Sequence, residues 1–322
     1  MPWPMRVLVT GSSGHLGEAL MRTLRAAGDD AIGVDVLPSV HTDLVGSITD
    51  PALVRRAIEG ADAVIHTATL HKPHVATHPR QAFVDTNITG TLTLLEAAVR
   101  AKLSAFLFTS TTSAFGRALS APAGEPASWI TEAVTPIPKN IYGATKVAAE
   151  DLCELFHRDH GLACLVLRTS RFFPEDDDDP AARARFEPDN LKANEFLHRR
   201  VALDDVVAAH RLALDRAPSL GFGRYIISAT TPFTPGDAAA LGLDAAAVIR
   251  RRFPHAEALW RARGWTLPAT LDRVYDNARA RRDLGWHPEV DFRKVVDRVR
   301  DGEAVLGPLA AVVGAKGYHR PR

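Results

Sequence analysis

Two side chains with complementary chemistry stand four residues apart in this sequence, the Tyr142 phenol and the Lys146 ammonium group. They fall in a helical pattern that begins near Pro138 and runs to about His160, and positions i and i+4 lie on one face of a helix. An ammonium group beside a phenol favours the phenolate and lowers a pKa that is normally about 10. The spacing therefore makes Tyr142 a candidate general base that removes the proton of an alcohol. For this motif taken alone, the alternative is a helix with a surface lysine and an amphipathic tyrosine that have no catalytic role.

A glycine-rich run follows the first apolar segment of the chain. Residues 11–17 read Gly-Ser-Ser-Gly-His-Leu-Gly, a GxxGxxG pattern between a predicted strand at 6–10 and a predicted helix at 16–27. Glycines at these positions let the backbone turn tightly and let a pyrophosphate approach the helix N-terminus, although a simple glycine-rich turn is the alternative. Asp35 ends the second predicted strand, where its carboxylate can accept hydrogen bonds from the adenosine ribose and would repel a 2′-phosphate, which favours NAD over NADP. The residues expected to contact this dinucleotide are Gly11, Ser13, Gly14, His15, Leu16, Gly17 and Asp35.

Short apolar segments alternate with helical patterns through the first half of the chain, as repeated βαβ units require. Predicted strands such as residues 63–67 and 105–109 are largely apolar, which is typical of parallel strands buried on both faces. After Arg168 the alternation stops, although residues 203–215 and 224–228 again fit a helix and a strand. We therefore predict an α/β fold, a doubly wound (Rossmann) parallel sheet with a smaller interleaved C-terminal substrate-binding region. The predicted NAD-binding domain is residues 1–170, and the substrate-binding region is residues 171–322, with segments near 201–230 returning to the core.

The charge and cysteine content limit the classes of partner. Lys plus Arg total 39 and Asp plus Glu total 38 in 322 residues, so the formal net charge of +1 is too small to indicate binding to nucleic acid or a membrane surface. The two cysteines, Cys153 and Cys164, indicate neither a disulfide scaffold nor a zinc site. The N-terminal residues lack a signal-peptide pattern, and no apolar run approaches the length of a membrane span. We expect a cytoplasmic protein with a small-molecule partner.

These motifs together resemble the extended short-chain dehydrogenase/reductases, specifically the NAD-dependent epimerase/dehydratase family. The resemblance runs from about Met5 to Val299 and includes the Leu-Gly-Trp-His-Pro stretch at residues 284–288. It implies NAD as the cofactor and a homodimer formed through a four-helix bundle that contains the Tyr142 helix. It also implies further cofactor contacts outside the glycine-rich run, which are Ser47, Ile48, His66, Thr67, Ala68, Asn87, Tyr142 and Lys146.

The resemblance assigns catalytic roles and adds a third residue to the pair. Alignment with the family's serine-rich strand end places the catalytic hydroxyl at Thr111, with Ser110 or Thr112 in that role if the register shifts by one. Tyr142 as phenolate would remove the proton of a secondary hydroxyl while hydride leaves the same carbon for NAD, and Thr111 would hold the substrate oxygen in line. Lys146 would bind the nicotinamide ribose hydroxyls and lower the pKa of Tyr142.

Two differences from the family's usual sequence reduce the range of reactions and substrates that we expect. The family's 4,6-dehydratases carry an acidic residue where this chain has Thr112 and Ser113, so a dehydratase is disfavoured. Residues 172–175 read Phe-Phe-Pro-Glu and are followed by four aspartates, where the family often has an asparagine near a nucleotide-sugar diphosphate. We interpret the acidic run at 175–179 as a solvated loop, and the alternative, a wall of the substrate site, would argue against a diphosphate ligand. The same stretch is also similar to that of uronate dehydrogenases.

Four side chains are candidate substrate contacts because of where they fall in the chain. Four histidines follow the third predicted strand, but their spacing matches no standard ligand motif, so we predict no metal site. The loop at residues 69–79 is instead expected to overhang the active site. Solvent-facing side chains remain the alternative for the arginines. The candidates are His71, Thr112, Arg171 and Arg200.

The predicted function is epimerase-like, NAD-dependent hydride transfer at a secondary hydroxyl or ketone of a sugar or nucleotide sugar. An NADH-releasing sugar or uronate-type dehydrogenase is the alternative that shares the first step. A non-catalytic NAD-binding sensor or scaffold is an alternative of another class. The presence of Thr111, Tyr142 and Lys146 argues against the sensor, since a sensor does not need the base.

Overall fold

A computed structural model describes residues 5–119, 121–122, 124–177 and 180–317. The strands are β1 (Arg6–Thr10), β2 (Asp30–Asp35), β3 (Leu44–Val45), β4 (Ala63–His66), β5 (Ala105–Thr111), β6 (Ser128–Ile130), β7 (Cys164–Thr169), β8 (Phe222–Ile227) and β9 (Arg273–Tyr275). The α-helices are α1 (His15–Ala26), α2 (Pro51–Ile58), α3 (Arg80–Phe83), α4 (Gly90–Ala101), α5 (Ile141–His160), α6 (Pro180–Arg185), α7 (Pro188–Glu195), α8 (Leu203–Leu220), α9 (Ala238–Arg252), α10 (Ala256–Ala262), α11 (Ala278–Leu284), α12 (Phe292–Arg300) and α13 (Pro308–Val313).

Seven of these strands form one parallel sheet in the order β3-β2-β1-β4-β5-β7-β8. Helices cover both faces of this sheet, and the side chains of β1 alternate between the two hydrophobic cores that result. Val7 and Val9 pack with α1 and α8, whereas Leu8 packs on the opposite face with α2, α4 and α5. The predicted doubly wound α/β fold is confirmed.

The strand order reverses direction between β1 and β4, since β2 and β3 lie on one side of β1 and the later strands lie on the other. A crevice opens at such a point outside the carboxyl ends of the strands, and ligands of doubly wound sheets bind there. The segments that follow β1, β4, β5 and β7 all leave the sheet at this edge and carry the predicted site residues.

A second, two-stranded sheet joins distant parts of the chain. Strand β6 pairs in parallel with β9, which places Ser128 opposite Arg273 and Ile130 opposite Tyr275. Helices α9, α10 and α12 pack with this small sheet around the buried Trp260. The segment that contains α8 and β8 returns to the large sheet, so the C-terminal region is interleaved with the first half.

Two local features of the helices have structural causes. The helical segment at residues 80–101 contains a wider π-helical turn at Val84–Thr89, and this turn carries the buried Asn87. Helix α5 begins at Ile141 rather than near Pro138, because the Asn140 side chain accepts a hydrogen bond from Gly143 N at 3.1 Å and caps the first turn. Among the described residues, no helix has the length and apolar character needed to cross a membrane.

Candidate active site

The glycine-rich loop brings the end of β1 into close contact with the end of β4. Gly11 has φ +74°, and a Cβ atom added there would lie 2.7 Å from Ala68 N. A Cβ atom on Gly17 would lie 1.9 Å from Gly11 O, so α1 can pack against the loop only if residue 17 is glycine. Gly14 begins α1 in an extended conformation, and none of the described side chains caps it. The first-turn amide groups of such a helix suit a phosphate, so the loop fits the pyrophosphate of a dinucleotide.

Asp35 lies beside this loop at the end of β2. Its Oδ2 atom accepts a hydrogen bond from Ser13 N at 3.0 Å, and its Oδ1 atom accepts one from Leu37 N at 2.9 Å. The carboxylate is therefore fixed toward the glycine-rich loop, where the sequence places the adenosine ribose.

The histidine at the end of β4 lies inside the protein. The two ring nitrogens of His66 lie 2.7 Å from Thr10 Oγ1 and 3.0 Å from Thr91 Oγ1. Burial, reinforced by the charge of Lys146, lowers the pKa of His66 well below its usual value. Thr67 donates from its hydroxyl to Thr10 O at 2.7 Å. This hydrogen bond fixes the segment after β4 against the end of β1, where the glycine-rich loop begins.

Three other predicted cofactor residues have well-defined surroundings. The Ser47 hydroxyl lies 2.7 Å from the Thr49 hydroxyl, and Ile48 is buried against the helix start at Gly90, where an added Cβ would lie 2.6 Å from Ile48 Cδ1. Asn87 accepts from Leu70 N at 2.9 Å and donates from Nδ2 to the Thr145 hydroxyl at 3.0 Å. It thereby ties the loop after β4 to α5.

A cavity of about 380 Å³ opens at the carboxyl ends of the strands, and it brings Thr111 and Tyr142 together. His71, Thr112 and Arg171 line the same cavity, so three of the four candidate substrate contacts lie beside the catalytic pair.

The register of the catalytic hydroxyl follows from the alternation of β5. Ser110 donates from its hydroxyl to Glu150 Oε1 at 2.5 Å inside the protein, away from the cavity that Thr111 lines. The Thr111 hydroxyl accepts from Ser113 N at 3.1 Å, which begins a short 3₁₀ turn at Thr112–Phe115. Thr111 is therefore the β5 hydroxyl that borders the substrate space, together with Thr112 just after the strand.

Lys146 lies one turn after Tyr142 on α5 and is only 2% exposed. Its ammonium group donates to Thr109 O at 2.7 Å and lies 3.9 Å from the centroid of the Phe108 ring. Burial lowers the pKa of Lys146 to about 7, against the attraction of Glu150. A charge held in so dry a place acts strongly on nearby groups.

Arg200 lies outside this cavity, contrary to its choice as a substrate contact. It is 1% exposed, and its Nε atom donates to Glu195 Oε2 at 2.7 Å while Nη1 donates to Phe173 O. The neighbouring Arg199 lines the cavity instead. The buried Glu195 carboxylate and the Phe173 main-chain oxygen hold the Arg200 guanidinium group away from the cavity.

The acidic run also differs from the solvated loop that the sequence favours. Asp177 is buried at the cavity, with Oδ2 lying 3.3 Å from Arg199 Nη2 and 3.7 Å from Arg171 Nη1. Glu175 lines the cavity and lies 2.9 Å from His15 Nε2. Because two arginines balance the Asp177 carboxylate and His15 contacts that of Glu175, this wall does not by itself argue against a diphosphate. Residues 178 and 179 of the run lie outside the described residues.

Sequence reasoning missed several residues that line the cavity. Arg273 and Tyr275 face it from β9, on either side of the fully buried Val274. This alternation was the available signal, but three residues are too few for a periodic pattern to be recognised. The remaining lining residues that were not predicted include Lys72, Lys139 and Arg199, whereas Glu175 and Asp177 belong to the run for which a wall of the substrate site was the alternative.

Comparison with known proteins gives three kinds of likeness. Residues 7–194 match the profile of the NAD dependent epimerase/dehydratase family. A dTDP-glucose 4,6-dehydratase of Streptomyces antibioticus is 30% identical over 351 aligned residues, covering 95% of each chain. A UDP-glucose 4-epimerase of Azospirillum brasilense is 31% identical over 189 residues, 55% of this chain and 51% of that one. A short-chain dehydrogenase/reductase superfamily protein from Agrobacterium tumefaciens, solved with bound NAD, has a TM-score of 0.65 and 24% identity, covering 92% of this chain and 97% of the other.

These relatives correct one prediction from the sequence. An epimerase or dehydrogenase was expected, with a 4,6-dehydratase disfavoured, yet a relative that is 30% identical across 95% of the chain is a dTDP-glucose 4,6-dehydratase. A second protein of that name, from Streptomyces niveus, is 33% identical over 192 residues, 55% of its length. The prediction considered only the residues after Thr111, where no carboxyl group stands. In the folded chain, Glu175 and Asp177 reach the cavity from the loop after β7.

Proposed function

The chain belongs to the NAD-dependent epimerase/dehydratase family, and on that premise we propose that it oxidises a secondary hydroxyl of a nucleotide sugar as the first step of a dehydration. The predicted cofactor, NAD, is that of the family. The observation that carries the proposal is the meeting of Thr111 and Tyr142 in one cavity, with the Lys146 charge one turn further along α5.

The chain's own groups can perform the proton chemistry. Thr111 and Tyr142 flank the space in which a substrate hydroxyl would be bound, so Thr111 can orient the oxygen while Tyr142 takes its proton. The Lys146 ammonium group favours the phenolate form of Tyr142, which is the form that accepts this proton. NAD, bound on the glycine-rich loop, supplies the acceptor for the hydride.

Loss of water from the oxidised sugar needs a group that removes a second proton and one that protonates the departing hydroxyl. The hydride taken up in the first step, together with a proton, would then return to the unsaturated sugar, so that the net change is loss of one water and NAD is regenerated. The cavity contains the carboxylate of Asp177 and the imidazole of His71 for such roles. The similarity to the dTDP-glucose 4,6-dehydratase of Streptomyces antibioticus along 95% of the chain favours this outcome over a simple oxidation.

The experiment that tests the proposal is incubation of the purified protein with NAD and either dTDP-glucose or UDP-glucose. Product mass and NADH absorbance are followed together. A product lighter by one water, without accumulation of NADH, supports a dehydratase. An isomeric product, or NADH that accumulates with the loss of two hydrogens, would overturn dehydration while leaving the oxidation step intact. No turnover of any nucleotide sugar would overturn the function itself.

A homodimer is part of the same proposal. The family resemblance places the subunit contact on a bundle that includes α5, and α4 packs beside α5 on the same face of the sheet. Sedimentation velocity at micromolar concentration distinguishes a dimer from a monomer.

A further inference from the structure

The loop after β7 makes a direct contact with the cofactor side of the molecule. Glu175 Oε1 lies 2.9 Å from Nε2 of His15, the first residue of α1. The two side chains are 9% and 0% exposed, so this contact is almost entirely shielded from water. A charged contact in so dry a place is stronger than one on the surface.

A third segment, far along the chain, meets the same carboxylate. Lys316 N donates to Glu175 Oε1 at 2.8 Å, and the Lys316 ammonium group pairs with Glu18 on α1. Helix α13, just before Lys316, packs on α1 and α8, so this segment is held against the helix that carries His15. Three segments distant in sequence therefore converge at one side chain.

Phe173 continues this contact toward the substrate cavity. Its ring makes an edge contact with His15, with centroids 5.1 Å apart, and stacks on His71 at 5.8 Å. Phe173, Glu175 and His71 all line the cavity that holds Tyr142. A molecule that reaches from the glycine-rich loop to Tyr142 must therefore lie beside the loop at residues 173–177.

We propose that His15, Glu175 and Lys316 form a latch that holds the 173–177 loop closed against the glycine-rich loop and slows the release of NAD between turnovers. The inference rests on the proposed function, because it takes the glycine-rich loop as the NAD site. Glu175 acts as a positioning residue, since it fixes the loop through His15 and Lys316. Slow release suits an enzyme that regenerates its NAD in every catalytic cycle and gains nothing from exchanging it.

The test is the dissociation rate of NAD from the full-length protein. The protein is loaded with NAD and mixed with excess NADH, and exchange is followed by the fluorescence of bound NADH in a stopped-flow instrument. Glu175→Gln keeps the size of the side chain but removes its charge, and His15→Phe keeps a ring against Phe173 but loses the polar contact. Each is expected to speed NAD dissociation about tenfold, the effect of losing one buried charged contact.

The matched control is Asp176→Asn, which removes one negative charge from the same loop. The Asp176 residue is exposed, and its main-chain oxygen accepts from Arg171, an interaction that the substitution keeps. We expect its NAD dissociation rate to stay within about twofold of wild type. The double variant His15→Phe/Glu175→Gln should release NAD no faster than the faster single variant, because both changes break the same contact.

Several outcomes would overturn the latch. An unchanged NAD dissociation rate in Glu175→Gln, or an equal acceleration in Asp176→Asn, would show that the Glu175 contacts do not slow NAD release. The proposed function would not be affected by either result. If the effects of the two substitutions add in the double variant, His15 and Glu175 act independently, which also contradicts the latch but not the proposed function. Failure of the wild-type protein to bind NAD at all overturns the proposed function together with the latch. Thermal melting followed by circular dichroism establishes that each variant is folded at the temperature of measurement.

Discussion

The buried Lys146 ammonium group donates a hydrogen bond to the main-chain oxygen of Thr109, two positions before Thr111, the candidate catalytic hydroxyl, on the same strand. The charge next to the candidate base is thus attached to the backbone of the strand that carries Thr111. Any change at Lys146 is therefore expected to affect both the protonation of Tyr142 and the stability of the fold.

The buried ammonium group predicts a pH dependence of stability. Burial lowers the pKa of Lys146 from 10.5 to about 7, so between these values the unfolded chain binds more protons at this residue than the folded chain does. The free energy of unfolding should therefore rise as the pH increases from about 7 toward 10, by up to about 1.4 kcal/mol for each unit of the pKa difference. Urea unfolding of wild type and Lys146→Met at several pH values isolates the contribution, because the variant lacks it.

Lys294→Met provides the control for this measurement. Lys294 is exposed on α12, so its removal should leave the slope of stability against pH as in wild type. Equal slopes for wild type and Lys146→Met would contradict the assignment.

Tyr142→Phe is expected to reduce turnover by roughly 10²–10⁴-fold, the usual contribution of a general acid or base. The dissociation constant for NAD should stay within about twofold of wild type, since the substitution removes one hydroxyl at the cavity rather than the glycine-rich loop. Turnover is measured by product formation and NAD affinity by calorimetry.

Tyr225→Phe removes a phenol hydroxyl in β8, away from the cavity-lining residues, and should keep wild-type turnover. A Tyr142→Phe protein that retains turnover would show that another group acts as the base.

Gly17→Ala should prevent normal packing of α1. The added Cβ would lie 1.9 Å from Gly11 O, a main-chain atom that cannot move without opening the loop. We expect a loss of about 3 kcal/mol or more in the free energy of unfolding and the loss of measurable NAD binding. Gly236→Ala is the matched control, because its added Cβ would make an ordinary van der Waals contact, 3.7 Å from Thr234 Oγ1. Similar behaviour of the two variants in urea unfolding would refute the close-packing explanation.

Asp35→Asn tests the preference for NAD. The neutral amide keeps the shape of the side chain but removes the negative charge, so repulsion of a 2′-phosphate is reduced. We expect NAD to bind about tenfold more weakly and the ratio of NAD to NADP affinity to fall. Calorimetric titration with both dinucleotides measures this ratio, and an unchanged ratio would exclude Asp35 from cofactor selection.

The features that could be predicted from the sequence depend on neighbours along the chain. The glycine-rich turn and the Tyr142 and Lys146 pair are each defined within a few residues, so spacing alone indicates their geometry. The resemblance to a family extended this to Thr111 through a local strand-end motif.

The features that could not be predicted depend on contacts between distant segments. Arg199 and Arg200 are adjacent cations, and contacts with Glu195 and with the main-chain oxygen of Phe173 keep Arg200 out of the cavity that Arg199 lines. Glu175 looks like part of a solvated acidic run until His15, 160 positions earlier, is placed beside it. Neither arrangement has a local pattern that would reveal it.

The parallel pairing of β6 with β9 determines which parts of the structure can form early while the chain is being synthesised. Strands β1, β2 and β4 can associate once the first third of the polypeptide has left the ribosome, because domains generally fold as the N-terminal part emerges. Strand β6, however, can pair only after β9 has been synthesised, because Ser128 lies opposite Arg273. The part of the cavity wall that Tyr275 provides is absent before that point. A prematurely terminated polypeptide can therefore contain the whole glycine-rich loop and Tyr142 and still lack an enclosed place for substrate.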